Sequence, residues 1–400
     1  MQSHRMSLNL NRLLSIAVSA LSALSLPVAA QTQSPPPAPA PAAAQAPAPA
    51  PAATPATWRF AGVDWTGYVD GYGSLNNNHP TNAANAQSND LYNFNDRTDQ
   101  FDLAEARITF NRNPAPVGVH ADVIFGRANA FLHPDTAKYD DDYLEQAYLS
   151  YTPKKTHGTE VDFGQFVTAA GAEVIEAKDN WNYSRSILFA WAIPYYHFGL
   201  RTSTPVTKTW TAGVQLVNGW NNTINGEGGP TGAITSTLTK PKYTWSADLY
   251  TGPEKSGGVG MYRNLLDTTL LLTPTSKFNA YINFDYGHNH TNAVGPLPAV
   301  SAHWTGVAFA AHEQFTSLQA VAARVEFLQD KGGFATGLDQ TVKEGTATYE
   351  HKFWKSRFLG RMEYRHDWSN EPFFHKSTNR LVDAQSTLSL GMMAILSPGS

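Results

Sequence analysis

Apolar and polar residues alternate one by one along most of this chain. In one such stretch Met362 and Tyr364 occupy apolar positions, and Arg361 and Glu363 occupy the polar positions beside them. Successive side chains of a β-strand point to opposite faces, so this pattern makes one face apolar and the other polar. The alternation predicts an all-β protein.

About sixteen alternating segments recur at roughly the ten-residue length that a tilted strand needs to cross a bilayer. They lie near residues 62–73, 98–112, 115–126, 142–152, 158–167, 194–204, 208–220, 232–240, 242–252, 263–273, 276–288, 302–313, 316–329, 339–351, 355–367 and 383–396.

The connections between these segments alternate between short and long. The short ones are at 113–114, 152–157, 205–207, 241, 274–275, 314–315 and 352–354. The long ones are 74–97, 127–141, 168–193, 221–231, 253–262, 289–301, 329–338 and 368–382. Short periplasmic turns and longer extracellular loops are typical of a transmembrane barrel. A soluble sheet with one wet face also alternates, but it has no reason to sort its loops by length. We therefore predict a transmembrane antiparallel β-barrel of about sixteen strands.

The sequence divides into three parts. Residues 1–30 are expected to be a secretory signal peptide, because Arg5 and Arg12 precede an apolar run and a Val-Ala-Ala cleavage site. A short buried helix or a membrane anchor is the alternative, but the run is shorter than the roughly 18–20 residues of a spanning helix. Residues 31–57 form a Pro/Ala-rich spacer, and residues 58–400 are assigned to the barrel.

Composition narrows the functional classes. The 400 residues include 29 Lys and Arg, 33 Asp and Glu, and no cysteine. Signal cleavage would leave a net charge of 27 − 33 = −6. Mild acidity argues against a nucleic-acid partner, and the lack of cysteine excludes a disulfide scaffold.

Charged residues fall at the polar positions of several strands, which should face the lumen. The predicted lumen wall consists of Glu105, Arg107, Asp122, Arg201, Arg324, Glu326, Arg361, Glu363 and Arg365. A packed interior tolerates so many charges only when all of them are paired, whereas a barrel of about sixteen strands encloses water. We expect these side chains to face a water-filled channel. The alternative is a set of wall charges that pair with one another and stiffen the barrel.

The longest connection is both aromatic and charged. Its predicted role is to fold into the lumen and narrow the pore, and its candidate residues are Glu173, Glu176, Lys178, Asp179, Trp181, Tyr183 and Arg185. The aromatic residues either anchor the connection to the wall or stack against a sugar-like solute, and anchoring is the simpler interpretation.

This connection also carries a family resemblance. The run GAEVIEAKDNWNYSRSILF and the following PYYHFGLR resemble the OmpL-like β-barrel porin family. Further similar motifs lie at residues 147–148, 250–254 and 324–326. The resemblance covers essentially residues 58–396 and implies an outer-membrane channel with no catalytic residues.

The sequence gives little support for an enzymatic function. His288 and His290 could ligate a metal, but no third ligand is placed by spacing. Ser184 and Ser186 lack the Gly-x-Ser-x-Gly elbow of a hydrolase. We therefore expect no catalytic residue, metal or cofactor.

The sequence predicts a porin of a bacterial outer membrane that allows passive diffusion of small hydrophilic solutes or ions. The expected partners are outer-membrane lipids and these solutes, and a homo-oligomer is possible by analogy with large porins. The alternative is a non-conducting barrel that serves as an anchor or adhesion platform.

Overall fold

The computed structural model describes residues 57–81, 87–133, 143–224, 228–256, 259–293, 298–354, 356–377 and 380–397. The predicted signal peptide lies outside the described residues, as does the spacer apart from Thr57.

Sixteen strands of the described chain form a closed antiparallel barrel in which each strand pairs with its neighbours in the sequence. They are β2 (Val63–Asn76), β3 (Gln100–Arg112), β4 (Val117–Phe125), β5 (Leu144–Tyr151), β6 (Glu160–Val167), β7 (Tyr196–Pro205), β8 (Trp210–Val217), β9 (Thr231–Lys240), β10 (Tyr243–Ser256), β11 (Val259–Leu272), β12 (Phe278–Thr291), β13 (Val300–Gln314), β14 (Gln319–Lys331), β15 (Gln340–Phe353), β16 (Phe358–Ser369) and β19 (Ala384–Leu396). The last strand pairs with the first of these, from Thr387 opposite Asn76 to Leu396 opposite Gly67, and this pairing closes the barrel.

Short elements complete the described fold. A three-residue strand, β1 (Trp58–Phe60), pairs with the start of β2, and β17 (Phe374–Lys376) pairs with β18 (Arg380–Val382) in a hairpin between β16 and β19. One short helix, α1 (Arg127–Leu132), follows β4. The connection between β6 and β7 contains a 3₁₀ turn (Ala177–Asp179) and a π-helical turn (Leu188–Ala192). Among the described residues, no helix is long and apolar enough to cross a membrane.

The alternation in the sequence becomes two faces of the barrel wall. On β16, Met362 is 55% exposed and Tyr364 is 50% exposed on the outside. Between and beside them, Arg361, Glu363 and Arg365 point inward and are buried. An apolar outer surface and a polar interior are the faces that a barrel needs in a membrane, because only the outer one meets lipid.

All sixteen predicted segments are strands, with ends that differ by a few residues. The long loop predicted at 253–262 is wrong. β10 continues to Ser256 and β11 begins at Val259, and Pro253 pairs with Tyr262 within the ladder. A proline removes only one backbone N–H donor from the hydrogen bonds between two strands. The pairing of β10 with β11 therefore continues past Pro253 through its other hydrogen bonds. The loop predicted at 289–301 is likewise shortened, because β12 runs to Thr291 and β13 begins at Val300.

Candidate functional site

The 168–193 segment leaves the wall after β6 and returns at β7. Its two ends are held together where the backbone N–H of Thr168 donates to the carbonyl of Tyr195 at 2.9 Å. The hydroxyl of Tyr250, on β10, accepts the N–H of Ala169 at 3.3 Å. The segment therefore starts and ends at one place on the wall.

Two wall carboxylates bind the backbone of this segment. Glu363 accepts the N–H groups of Tyr183 and Ser184 at 2.6 and 2.9 Å. Glu326, on β14, accepts those of Ile187 and Leu188 at 2.7 and 3.1 Å. Irregular backbone buried from water needs such partners, because a buried N–H without an acceptor is costly. The wall thus supplies acceptors that a helix or sheet would otherwise provide.

Arg361 supplies the matching donors. Its guanidinium donates to the carbonyls of Ala177 and Asn180 at 2.5 Å each and to that of Asn182 at 3.1 Å. The same group donates to the carboxylate of Glu350, on β15, at 2.8 and 3.0 Å. A planar fork with five N–H donors suits this role better than a single ammonium group.

Two further arginines extend the arrangement. Arg324 donates to the carbonyl of Ser184 at 2.8 Å and forms an ion pair with Glu344 at 2.8 Å. Arg365 donates to the carbonyl of Arg185 at 2.8 Å and lies 3.2 Å from the same Glu344 carboxylate. Charges on β14 and β16 therefore bind neighbouring peptide groups of the segment, and the acids of β15 between them bind the arginines.

The predicted lumen-wall residues do point inward, but the expectation that they face water is wrong. They are only 0–7% exposed, and they are Glu105, Arg107, Asp122, Arg201, Arg324, Glu326, Arg361, Glu363 and Arg365. The physical reason is that the segment and neighbouring wall charges take the place of water as their partners. The alternative, that wall charges pair with one another, describes eight of these nine residues, and Glu363 instead accepts backbone N–H groups of the segment.

Arg107 is the centre of a second charged cluster, on the β3 and β4 side. Its guanidinium lies 2.5 Å from the Glu105 carboxylate, 3.4 Å from that of Asp122 and in contact with that of Glu145. Glu176 reaches this cluster from the segment, and its carboxylate lies 2.5 Å from the same guanidinium. The segment is thus attached on this side of the wall as well.

Arg201 belongs to a separate pair. Its guanidinium donates to Asp162, on β6, at 2.7 Å and lies over the ring of Phe166, 4.4 Å from the ring centroid. Both partners are wall residues, so the structure does not bring Arg201 to the segment.

Two of the predicted constriction charges are buried within the segment. Glu173 forms an ion pair with Arg324 at 2.7 Å and accepts the backbone N–H of Ser186 at 2.6 Å. Arg185 donates to the carbonyl of Tyr183 at 2.7 Å and to that of Ile175. Because these charges face protein groups, they hold the segment in shape and do not line an aqueous passage.

The aromatic candidates pack against the wall. The Tyr183 hydroxyl donates to Asp70, on β2, at 2.9 Å. The ring of Trp181 lies 5.1 Å from that of Tyr281 and 5.7 Å from that of His312. Both candidates are buried, so anchoring describes them and stacking on a solute does not.

The remaining predicted charges keep contact with solvent. The side chains of Glu176, Lys178 and Asp179 are 18%, 24% and 41% exposed. Partial burial lowers the pKa of the Lys178 ammonium group, but the carboxylates of Asp179 and Glu176 outweigh this and raise that pKa above its ordinary value. Lys178 therefore stays positively charged at neutral pH.

Sequence reasoning missed several participants. Glu344 and Glu350 occupy inward positions of β15, and Asp248, Asp267 and Asp285 occupy inward positions of β10 to β12. The period-two pattern could have found all five, because each is separated from other inward residues by an even number of positions.

The histidine pair lies on a strand of the barrel wall. His288 and His290 lie on β12, and the Nδ1 of His290 is 2.9 Å from the hydroxyl of Ser301. Within the described part of the chain, no group of three or more His, Cys, Asp or Glu is arranged to hold a metal ion.

Comparison with known proteins places this geometry in context. Residues 62–396 match the model of a family described as "Putative beta-barrel porin-2, OmpL-like". None of the curated proteins matches the chain.

Solved structures resemble the fold. The outer membrane channel DcaP of Acinetobacter baumannii gives a TM-score of 0.59 at 12% identity, over 85% of this chain and 100% of that one. An anion-selective porin from Comamonas acidovorans gives 0.56 at 10% identity, over 84% and 99%. The outer-membrane expressed OmpT of Vibrio cholerae gives 0.52 at 10% identity, over 85% and 99%. At these identities the likeness concerns the fold alone.

Proposed function

The chain belongs to the OmpL-like beta-barrel porin-2 family, and from that premise we propose that it is a passive channel for small hydrophilic solutes and ions, narrowed by the 168–193 segment. The outer membrane is its location. The proposal assigns no catalytic residue.

The observation that carries the proposal is where the segment is attached. It leaves the wall between β6 and β7, and its backbone binds Glu326 on β14. In a sixteen-strand barrel of consecutive described strands, β14 is eight strands from β6, which is half of the circumference. A connection held at both places has to cross the bore, and it thereby reduces the open cross-section.

Exposed charges on the segment suggest where solutes pass. Glu176, Lys178 and Asp179 retain contact with solvent, while the other predicted constriction residues are buried. Charges at a narrow aqueous passage act on ions at short range, where screening by salt is weakest. We therefore assign ion preference to these three side chains.

Planar bilayers test this proposal. Purified, folded protein should produce stable single-channel openings, and the reversal potential in a salt gradient should shift when Glu176→Gln, Lys178→Gln or Asp179→Asn removes a charge. Lys154→Gln is the matched control, since Lys154 is an exposed residue in the connection between β5 and β6. A folded barrel that stays silent in the bilayer would favour the non-conducting anchor.

We further propose that residues 1–30 are removed on export and that residues 31–57 tether the barrel to its surroundings in the periplasm. The signal-like composition of the first thirty residues and the Pro/Ala content of the next ones support this. Sequencing the N-terminus of protein isolated from outer membranes should find Gln31 first. An intact N-terminus would contradict the cleavage.

A homo-oligomer is also part of the proposal. One of the similar solved structures is an OmpT of Vibrio cholerae in a trimer form, with a TM-score of 0.51 at 11% identity over 83% of this chain and 98% of that one. Chemical cross-linking in native membranes should give discrete multiples of the chain, and a band at the monomer position alone would count against association.

A further inference from the structure

Lysines gather along one part of the rim at which the turns are short. Four neighbouring turns lie there, at residues 152–159, 206–209, 241–242 and 273–277, between β5 and β12. None of these turns contains Asp or Glu. Five exposed lysines lie in the turns and a sixth ends β9, and we call the set the basic rim: Lys154, Lys155, Lys208, Lys240, Lys242 and Lys277.

The four turns adjoin one another, so the basic rim is one continuous patch. The first turn lies beside the second because β6, which follows the first, pairs with β7, which precedes the second. The Nζ of Lys240 donates to the hydroxyl of Thr209 at 3.1 Å, which joins the third turn to the second. The backbone N–H of Thr273 donates to the carbonyl of Lys242 at 2.8 Å, which joins the fourth turn to the third.

No carboxylate of the described chain forms an ion pair with any lysine of the basic rim. The acid of the adjoining inner wall, Asp162 on β6, is bound to Arg201 at 2.7 Å. At the opposite rim, by contrast, Lys331 lies 3.1 Å from the carboxylate of Asp339. Charges of one sign that are gathered on a surface create a potential that attracts ions of the other sign. The basic rim therefore presents uncompensated positive charge.

Aromatic side chains fix the depth of the basic rim in the membrane. Tyr243 and Trp245 follow Lys242 on the outer face of β10, with exposures of 36% and 46%. Phe278 follows Lys277 at the start of β12 and is 39% exposed. Exposed Tyr and Trp rings concentrate at the level of the lipid headgroups. The lysines lie next to these rings on the side of the short, periplasmic turns, and this places their ammonium groups beside the lipid phosphates.

We propose that the basic rim binds the headgroups of anionic phospholipids in the periplasmic leaflet. An ammonium group supplies positive charge and three N–H donors, and a phosphodiester supplies negative charge and acceptor oxygens. Clusters of lysine beside a membrane attract anionic lipids for this reason. A zwitterionic headgroup carries its own cation and gives no net attraction. The depth set by the aromatic rings favours a lipid over an acidic periplasmic protein, and the proposal does not depend on conduction.

The mobility of spin-labelled lipids tests this proposal. Full-length folded protein is reconstituted in phosphatidylcholine vesicles that contain a trace of spin-labelled phosphatidylglycerol or spin-labelled phosphatidylcholine. The fraction of label held at the barrel surface gives the relative association constant of the two lipids. We expect phosphatidylglycerol to associate at least twofold more strongly than phosphatidylcholine. This preference should disappear in 1 M salt, where the Debye length is about 3 Å.

Charge variants assign the preference to the basic rim. The preference should fall to near one in Lys208→Gln/Lys240→Gln/Lys242→Gln and persist when the same three positions are changed to arginine. The matched control removes three charges near the opposite rim, in Lys331→Gln/Lys343→Gln/Lys376→Gln, and should keep the preference. These rim side chains are exposed, so the variants are expected to fold, and mobility on unheated gels checks this.

Three results would overturn the inference. They are equal association of the two lipids with the original chain, a preference that survives in the glutamine variant of the basic rim, and an equal loss in the matched control. An acidic protein as the true partner would give the first result. Inorganic phosphate that displaces the labelled lipid better than sodium chloride of equal ionic strength would assign the lysines to a soluble anion and would also overturn it.

This measurement separates the inference from the channel proposal. A conducting channel without a lipid preference excludes the headgroup site and leaves the channel. A folded barrel that prefers phosphatidylglycerol but gives no openings supports the headgroup site and excludes the channel.

Discussion

The carboxylate of Glu363 accepts the backbone N–H of Tyr183 at 2.6 Å, although the two residues are 180 positions apart in the sequence. The same carboxylate accepts the neighbouring N–H of Ser184 at 2.9 Å. A charged side chain on the wall thus does for the segment what a neighbouring strand does in a sheet. The alternation predicted that these wall charges face water. Instead, they hold in place a segment that has no regular secondary structure over most of its length.

Glu363→Gln tests this fastening. The amide keeps one acceptor, but its NH₂ group faces one of the two backbone N–H groups, so a buried donor loses its acceptor. We expect a loss of about 1–3 kcal/mol in the free energy of unfolding, measured by urea titration with gel mobility as the readout. Glu371→Gln, in the connection between β16 and β17, should change little. Equal stability of the two variants would show that Glu363 does not hold the segment.

Gly391→Ala tests the packing of the Tyr183 ring against β19. A Cβ at Gly391 would lie 2.4 Å from the Tyr183 ring, so the ring has to move. We expect destabilisation of about 1–3 kcal/mol from overpacking and an altered single-channel current. Gly345→Ala is the matched control, because a Cβ there meets nothing within 4 Å. If both glycine variants behave alike, Tyr183 is not packed against β19.

Arg361→Lys tests whether geometry as well as charge matters. Lysine keeps the positive charge, but it cannot reach three carbonyls of the segment and the Glu350 carboxylate together. We expect the variant to lose about 1–3 kcal/mol of unfolding free energy, and Arg59→Lys, at an exposed arginine of β1, to lose none. Full stability in Arg361→Lys would mean that charge alone is sufficient.

Lys178→Glu tests the charge at the passage. It replaces a partly exposed ammonium with a carboxylate beside Asp179 and Glu176, so permeability should shift toward cations. The shift in reversal potential should shrink as salt rises from 0.1 to 1 M, because the Debye length falls from about 10 to about 3 Å. A shift that does not depend on salt would place the action of Lys178 outside the water-filled passage.

The strands were predictable because their signal is local. Met362 and Tyr364 alternate with Arg361 and Glu363 within a few residues. Every strand needs this pattern, because its outer face meets lipid and its inner face meets polar groups. Pro253 was a misleading signal for the end of a strand. The predicted loop began at this proline, but β10 continues through it to Ser256.

The partners of the 168–193 segment could not be predicted in the same way. Glu326 and Glu363 bind peptide N–H groups that are 138–180 positions away, and no periodicity encodes which carboxylate meets which peptide group. Parity alone placed Arg324 and Arg365 inward. Whether these two side chains contact water or protein depends on the path of the 168–193 segment. That path could not be predicted, because the segment has no repeating sequence pattern.

The most direct test of the account uses the absence of cysteine from the chain. Lys178→Cys introduces a single thiol at the exposed part of the 168–193 segment, and Met362→Cys places one on the outer face of the barrel as a control. We predict that a bulky, membrane-impermeant methanethiosulfonate reagent lowers the single-channel current of Lys178→Cys in discrete steps and leaves that of Met362→Cys unchanged. An unchanged current in a Lys178→Cys channel shown to be labelled would contradict a constriction formed by this segment.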